Sequence, residues 1–155
     1  MQKTNAIRII QSKKIKFNVL EYDSNITDGQ LVASQLGQDA NRVFKTLVTI
    51  SNSNQNYVFV VPVNANLDLK KVAKVVGAKS IEMIKQKDLL PLTGYIHGGC
   101  SPIGMKKFFP TFIHKTANDY ESIFFSAGKV GVQVEVCPRD IPKLIRCDMN
   151  NDLIV

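Results

Sequence analysis

The sequence predicts a mixed α/β protein in which a curved or barrel-like mixed β-sheet is surrounded by helices. Three observations lead to this prediction. Apolar and polar residues alternate in several short segments, which is typical of strands. Segments with helical spacing and recognisable ends lie between them. The strands are unevenly spaced over 155 residues, which favours a curved sheet over a doubly wound one. The length is that of one domain, expected over residues 1–155.

The N-terminal third predicts a helix, a strand and a hairpin. Thr4 is suited to cap a first helix over residues 5–14. Alternating apolar residues then predict a strand that ends at Tyr22. Two further strand patterns, Val43–Ile50 and Tyr57–Val63, flank the turn-forming segment SNSNQN and so predict an antiparallel hairpin.

Two more helices have clear start and stop residues. Thr27 or Asp28 opens the second, which Gly37 ends, and Asp68 opens the third, which Gly77 ends. The residues expected on the buried faces are Leu31, Val32 and Leu36 in the second helix and Val72, Val75 and Val76 in the third.

The remaining elements are short. Strands are predicted at residues 80–84, 111–115, 122–126 and 132–136, with a helical turn near Asp88–Leu90 and a helix from Pro138 whose inward residues are Ile141, Leu144 and Ile145.

Composition excludes several classes of protein. Hydrophobic residues make up 45% of the chain, which excludes intrinsic disorder. No apolar run is long enough for a membrane span, and the start lacks a leader-like apolar block, so we expect a cytoplasmic protein with no membrane partner. The three cysteines and two histidines show no disulfide or zinc-binding spacing, and we expect no metal and no cofactor.

The chain is basic, with a net charge of +7, and only 4 of its 20 basic residues are arginine. Lysine suits contacts to phosphate better than the reading of base edges. The charge therefore fits a nucleic acid held by its backbone, and fits a merely soluble basic surface equally well. The candidate phosphate contacts are Lys70, Lys71, Lys74, Lys106 and Lys107.

Lys45 is a charged residue on an otherwise apolar face of its predicted strand. Val43, Lys45 and Leu47 point to one face, so the lysine lies between apolar neighbours. Burial of an unpaired ammonium costs several kcal/mol, roughly, and such a group needs a partner or an opening to water. Two explanations stay open: a functional cation, and an edge-strand lysine that reaches solvent, which the residues alone favour.

The segment HGGCSPIGMKK, residues 97–107, combines backbone freedom with positive charge. A phosphate-binding P-loop is excluded, because Met105 precedes the first lysine and no Ser or Thr follows it. Free amides near Gly98 and Gly99, with the Ser101 hydroxyl and a turn fixed by Pro102, suit the binding of an oxyanion or carbonyl. A glycine-rich turn between two strands is the simpler explanation.

Cys100 lies within this segment but lacks the surroundings of a reactive thiol. The nearest base in sequence is His97, and no helix start follows that would lower the thiol pKa. A nucleophilic cysteine is therefore not favoured. Ser126 is a further small polar residue at the end of a strand and indicates little alone.

Four segments, in this order, resemble the YbaK/EbsC family of free-standing aminoacyl-tRNA deacylases. They are VFKTL at 43–47, LDLKKVAKVVGAKSIEM at 67–83, TGYIHGGCSPIGMKK at 93–107 and SAGKVG at 126–131. The best-described members are Cys-tRNA(Pro) deacylases, and they are similar to the editing domain of bacterial prolyl-tRNA synthetases. The resemblance covers nearly the whole chain and implies a mixed, partly closed sheet with helices around it.

The resemblance also implies a site. The residues placed at catalytic positions are Lys45, Gly98, Gly99 and Cys100, and those at substrate-binding positions are Tyr22, Thr46, Ser101, Pro102 and Ser126. The chain departs from the family in three places. Ala127 and Val130 replace the usual glycine and arginine, Cys100 replaces an aliphatic residue, and Gln133 stands where some members have an acid.

The implied substrate is mischarged Cys-tRNA(Pro), with Cys-tRNA(Cys) as a further one, and prolyl-tRNA synthetase is a candidate partner. The family implies that the substrate cysteine attacks its own ester, so the enzyme mainly positions it. Lys45 would either bind the terminal adenosine or neutralise developing charge, and we favour binding and orientation. Deacylation of Ala-tRNA(Pro), a non-catalytic aminoacyl-tRNA binding module and a cysteine hydrolase centred on Cys100 stay open as alternatives.

Overall fold

The computed structural model describes residues 3–155. The predicted domain, residues 1–155, begins with Met1 and Gln2, and so does the segment in which no leader was expected. These two residues lie outside the described part of the chain. Within residues 3–155 the helices are α1 (Asn5–Ser12), α2 (Gly29–Gln35), α3 (Leu69–Val76) and α4 (Gln86–Thr93). The strands are β1 (Phe17–Glu21), β2 (Phe44–Ser51), β3 (Asn56–Pro62), β4 (Ile81–Met83), β5 (Thr111–Ile113), β6 (Ile123–Lys129), β7 (Val132–Val136) and β8 (Cys147–Asp148).

The strands form two sheets. One is antiparallel with the order β1-β7-β6, and the other is mixed with the order β4-β2-β3-β5-β8. A parallel bridge between Val43 and Phe124 links the start of β2 to β6. The mixed α/β fold is confirmed, but the described strands form two open sheets joined at this bridge where one barrel-like sheet was expected.

The predicted helix starts after Thr4, Asp28 and Asp68 are confirmed by their caps, whereas α1 ends at Ser12, two residues before its predicted end. The Thr4 hydroxyl accepts a hydrogen bond from the Ile7 amide at 3.1 Å. Asp28 accepts from the second and third amides of α2, and Asp68 accepts from the third amide of α3. Gly37 and Gly77, just past these two helices, have positive φ angles of 69° and 76°. Glycine is favoured there because it has no Cβ to clash.

The structure differs from a few of the predictions that were made from local sequence pattern. In α2 the buried residues are Val32 and Ala33, whereas Leu31 is 59% exposed. The helical turn near residue 88 is the two-turn helix α4, and the segment from Pro138 is a 3-10 helix. Strand β8 has only two residues, too few for a recognisable alternation.

The largest core cluster lies between α1 and the strands of both sheets. It includes Ile7 and Ile10 of α1, Phe44 of β2 and Phe125 of β6, all 2% exposed or less. Burial of side chains of this size contributes about 1.5–3 kcal/mol each. This core fixes β2 beside β6, and so positions Lys45 relative to the turn between β6 and β7.

Candidate active site

A cavity of about 360 Å³ opens where β2, the start of α2, the glycine segment and the β6–β7 pair meet. Its size lies within the range of pockets that hold small molecules, about 300–1,000 Å³. Six of the nine residues placed at site positions from the sequence line it: Tyr22, Lys45, Thr46, Gly98, Cys100 and Ser126. Gly99, Ser101 and Pro102 do not.

Lys45 brings a positive charge to the cavity. Its side chain is half-buried, and burial lowers the pKa of its ammonium below the ordinary value. The nearby negative charge of Asp28 raises this pKa, but by less than burial lowers it. Within residues 3–155 the ammonium makes no ion pair within 4.0 Å and no hydrogen bond. A desolvated cation without a partner attracts an anionic group strongly.

The position of Lys45 in its sheet explains why the charge is unpaired. Strand β2 is internal to its sheet, yet β4 pairs only with Thr49–Ser51. On its other side β2 pairs with β3, with Lys45 opposite Val61. The edge-strand explanation is therefore correct only in part, because the lysine lies beyond the end of β4 and faces a cavity.

The loop that follows α4 presents two unused backbone donors. Within the described part of the chain, the amides of Gly98 and Cys100 have no hydrogen-bond acceptor, whereas the Gly99 amide donates to the Ile96 carbonyl at 3.0 Å. Gly98 and Cys100 are also the two of these three residues that line the cavity. The segment runs from α4 to β5, so it is not the turn between two strands that the simpler explanation required.

Gly99 holds this loop against the β6–β7 turn. A Cβ at this position would lie 2.8 Å from the Val130 nitrogen and 3.1 Å from the Lys129 carbonyl carbon. Contacts this short with backbone leave room for glycine alone. Gly99 thus sets the position of the neighbouring amides rather than lining the cavity itself.

Ser101 and Pro102 are buried behind the loop. The Ser101 hydroxyl is 0% exposed and accepts a hydrogen bond from the Ile103 amide at 3.1 Å. The Ile103 carbonyl in turn accepts from the Tyr95 hydroxyl at 2.7 Å. These bonds fix the shape of the loop from the protein side, so both residues support the cavity wall from behind.

Cys100 is a poor nucleophile in this position. Burial raises the pKa of its thiol to about 12, and a hydrogen bond with Thr93 offsets this only in part. The reactive form of cysteine is the thiolate, which is scarce at neutral pH under these conditions. His97 also lines the cavity, but within residues 3–155 no hydrogen bond joins it to a hydroxyl or thiol.

Hydroxyl and amide groups make up much of the remaining wall. The Ser126 hydroxyl accepts a hydrogen bond from the Gly128 amide at 3.1 Å, and the Tyr22 amide donates to the Gly131 carbonyl at 2.9 Å. Thr46 Oγ1 and Gln133 Oε1 are buried and have no hydrogen-bond partner among residues 3–155. Both oxygens are closed off from solvent, so other parts of these two residues form the cavity wall.

Several lining residues were not identified from the sequence. Asp28 and Gly29 belong to the start of α2, and Val32, Phe44 and Val63 form the apolar part of the wall. Asp28 was recognised as a helix cap, and its carboxylate does accept the Gln30 and Leu31 amides. No local signal shows that the same carboxylate lies across a cavity from Lys45, since 17 positions separate them along the chain.

The candidate phosphate contacts fall into two groups. Four of the lysines, at positions 70, 74, 106 and 107, are exposed. Lys71 is half-buried, and its ammonium donates to Asp152 at 2.9 Å and to the Ile154 carbonyl at 2.7 Å. Lys71 therefore joins α3 to the C-terminal segment, and the four exposed lysines remain the candidates for phosphate.

The described residues hold no group of three or more His, Cys, Asp or Glu side chains arranged to bind a metal ion. Nor does any helix among them have the length and apolar character to cross a membrane.

Comparison with known proteins gives a consistent picture. A family model described as an aminoacyl-tRNA editing domain matches residues 23–144. A relative from Enterococcus faecalis, named as an inferred Cys-tRNA(Pro)/Cys-tRNA(Cys) deacylase, EbsC, is 47% identical over 145 residues, which are 92% of this chain and 88% of the relative.

Two solved structures share the fold. The crystal structure of a hypothetical protein is 17% identical with a TM-score of 0.88, and covers 98% of this chain and 100% of its own. A structure described as an inferred trans-editing enzyme for prolyl-tRNA synthetase is 21% identical with a TM-score of 0.85, and covers 100% of this chain and 99% of its own. At these identities the likeness concerns the fold alone.

Proposed function

Because the chain belongs to the aminoacyl-tRNA editing domain family, we propose that it deacylates mischarged Cys-tRNA(Pro) and also accepts Cys-tRNA(Cys). The family membership expected from the four sequence segments is confirmed. Residues 1–155 act as one deacylase domain, in which the two sheets joined at Val43 and Phe124 form a curved wall around the substrate.

One arrangement carries the proposal. Three groups without a partner among residues 3–155, the Lys45 ammonium and the amides of Gly98 and Cys100, belong to residues that line a single cavity. Cleavage of an ester passes through a tetrahedral intermediate with a negative oxygen. Preorganised N–H donors and a desolvated cation stabilise such an oxygen, and one donor is worth about 10²–10³ in rate in comparable sites.

The substrate supplies the nucleophile in this mechanism. The sulfur of the esterified cysteine attacks its own carbonyl carbon and forms the S–C bond of a thiolactone. The C–O bond to the ribose breaks, and the ribose oxygen takes the proton that the thiol gave up. Water later opens the thiolactone to free cysteine. The high pKa of the Cys100 thiol, about 12, supports an enzyme that contributes no thiolate of its own.

Lys45 binds and orients the terminal adenosine of the tRNA, with its charge near the developing oxyanion. The Asp28 carboxylate in the same cavity wall accepts hydrogen bonds from the substrate ammonium. Such a site serves translation because a synthetase pocket distinguishes amino acids that differ by one small apolar group by only about 1–3 kcal/mol. Prolyl-tRNA synthetase is the expected partner, and the cytoplasm the expected compartment.

A panel of four esters on the same tRNA tests the proposal. The wild-type chain is incubated with tRNA(Pro) charged with cysteine, serine, alanine or proline, and release of the amino acid is followed with time. We expect rapid release of cysteine and slow release of serine, which differs from cysteine only by oxygen in place of sulfur. Equal release of alanine and cysteine would show attack by water and favour an Ala-tRNA(Pro) deacylase. Binding of all four without cleavage would identify a non-catalytic module.

A further inference from the structure

The wall of the candidate active site carries a negative charge as well as a positive one. Among the described residues that line the cavity, Asp28 is the one acid and Lys45 the one lysine or arginine. The charge of Asp28 acts on Lys45 through space. In the described part of the chain, however, no ion pair within 4.0 Å joins the two side chains. The two charges therefore share one cavity with a gap between them that a ligand can occupy.

One oxygen of the Asp28 carboxylate is available to a ligand. Oδ1 accepts hydrogen bonds from the Gln30 and Leu31 amides at 2.9 and 3.2 Å. Within residues 3–155, Oδ2 takes part in neither a hydrogen bond nor an ion pair. The side chain is exposed, so a ligand in the cavity can reach this oxygen. The two bonds to Oδ1 hold the carboxylate in place and leave Oδ2 as a positioned acceptor.

A tight contact fixes where Asp28 stands relative to Lys45. A Cβ on the next residue, Gly29, would lie 2.6 Å from Val63 Cγ1 and 2.8 Å from Val63 Cβ. The start of α2 therefore approaches the end of β3 this closely because residue 29 is glycine. The Val63 amide in turn donates to the Val43 carbonyl at 2.8 Å, and Val43 precedes Lys45 by two residues. Packed backbone thus links the carboxylate to the lysine, and the fold sets the separation of the two charges.

We propose that this pair of charges makes the site prefer esters whose α-amino group is free over N-acylated and peptidyl esters. The inference rests on the proposed function and specifies its substrate class. In a cysteinyl ester the ammonium and the carbonyl are attached to neighbouring carbons, so a positive group lies beside the oxygen that becomes negative. Asp28 meets the ammonium while Lys45 meets the oxygen. A free α-amino group is mostly charged near neutral pH, whereas an N-acyl group turns it into a neutral amide.

Such a preference separates two classes of ester that tRNA carries. An aminoacyl-tRNA that leaves a synthetase has a free ammonium, whereas a peptidyl-tRNA has an amide at the same atom. A site that is built to bind a polar group rejects analogues lacking that group more strongly than an apolar pocket rejects a small difference in size. Because Asp28 is exposed, we expect the preference to be about tenfold, at the low end of the range for hydrogen bonds to charged groups.

The test compares three esters of tRNA(Pro) that all keep the attacking thiol: cysteinyl, 3-mercaptopropionyl, which lacks the amino group, and N-acetyl-cysteinyl. Each rate is divided by the rate of the same ester without protein, since the esters differ in intrinsic reactivity. The wild-type chain should accelerate the cysteinyl ester about tenfold more than the 3-mercaptopropionyl ester, and the N-acetyl ester least. Asp28→Asn, which keeps a helix-capping side chain, should remove the preference. Asp39→Asn, the same change at an exposed cap outside the cavity, should keep it.

The pH–rate profile shows whether the two charges act in one site. The Asp28 charge raises the pKa of Lys45, so Asp28→Asn should move the alkaline loss of activity to lower pH. The other titratable side chains of the cavity wall, those of Tyr22, His97 and Cys100, are the same in both proteins. An alkaline limb that stays in place, or an Asp28→Asn variant that keeps the full preference, would overturn the inference.

A binding measurement separates this inference from the proposed function. The probes are two amides of 3′-amino-3′-deoxyadenosine, one with cysteine and one with 3-mercaptopropionic acid, which resist cleavage. Calorimetry should show tighter binding of the cysteinyl amide, and Asp28→Asn should lose the difference. If no ester is cleaved but this difference is found, the deacylase proposal fails and the amino-group site stands. If the esters are cleaved without any preference for the free amino group, the deacylase proposal stands and the inference is wrong.

Discussion

Removal of the Lys45 charge should abolish most of the activity while the fold survives. The variant Lys45→Met keeps the aliphatic stem that lies between Val43 and Leu47 and removes only the ammonium. Within residues 3–155 that ammonium has no ion pair to lose. We therefore expect the free energy of unfolding to change by less than about 1 kcal/mol, since no buried partner charge is left uncompensated.

The kinetic effect follows from the charge that Lys45 presents to the oxyanion. Two unit charges about 4 Å apart interact by ~4 kcal/mol at an effective dielectric constant of ~20. Lys45 is only half-buried, and solvent screening reduces this to about 3 kcal/mol. At about 1.4 kcal/mol for each factor of ten, kcat should fall roughly 10²-fold. Lys45→Ala should lose at least as much, because it also removes the stem.

The assay is single-turnover deacylation of Cys-tRNA(Pro), with thermal melting of each variant measured alongside. Lys74→Met, an exposed lysine on α3, is the matched control for loss of one charge. Deacylation by Lys45→Met within threefold of wild type, with a normal melting curve, would refute the role given to this cation.

The pH dependence gives the same reasoning a second measurement. The active form of Lys45 is the ammonium, and its pKa is lowered by burial. As pH rises through this lowered pKa, the charge and the activity should be lost at a pH where an ordinary exposed lysine is still protonated. Lys45→Arg, which stays charged at every accessible pH, should keep its residual activity over that range.

Three other predictions concern the loop and the surface. Gly99→Ala places a Cβ 2.8 Å from the Val130 nitrogen, and should lower stability by about 1–3 kcal/mol and reduce kcat, measured by melting and single-turnover assays. Cys100→Ala should keep deacylation within about threefold of wild type, because its thiol, with a pKa of about 12, is not the nucleophile; loss of activity without loss of folding would restore the cysteine-hydrolase alternative. Binding of tRNA should weaken with added salt, by a slope of about 0.7–0.9 in log K per phosphate contact. Lys70→Ala or Lys106→Ala should reduce that slope, and a salt-independent Kd would exclude the basic surface as the tRNA contact.

The parts of the fold that depend on local pattern were predictable. Helix caps such as Thr4 and Asp68, and the hairpin of β2 and β3, depend on residues within a few positions of each other. The division into two sheets was not predictable, since it depends on pairing across distant segments, as between β1 and β7. Leu31 shows the limit within a helix: α2 is only seven residues long, and a short apolar pattern does not decide which side packs.

The candidate site shows the same limit. The alternation in β2 correctly placed Lys45 among apolar neighbours, because side-chain direction in a strand has a strict period of two. In the loop, composition alone did not show that Gly98 lines the cavity while Gly99 packs against the turn between β6 and β7. Their difference arises from the positive φ of Gly98, 84°, and from the contact of Gly99 with backbone 30 residues further on. Neither the φ angle nor the distant contact can be predicted from the neighbouring residues in the sequence.

The departures from the family pattern explain why one lysine should matter so much here. Val130 occupies the position of the usual arginine, and its Cγ2 lies 3.5 Å from where a Cβ on Gly98 would stand. An apolar group thus borders the loop where the resemblance to the family leads us to expect a second cation. Among the described residues that line the cavity, Lys45 is the one lysine or arginine. In the proposed mechanism, the amides of Gly98 and Cys100, which have no acceptor among residues 3–155, and this single ammonium therefore act together on the oxyanion.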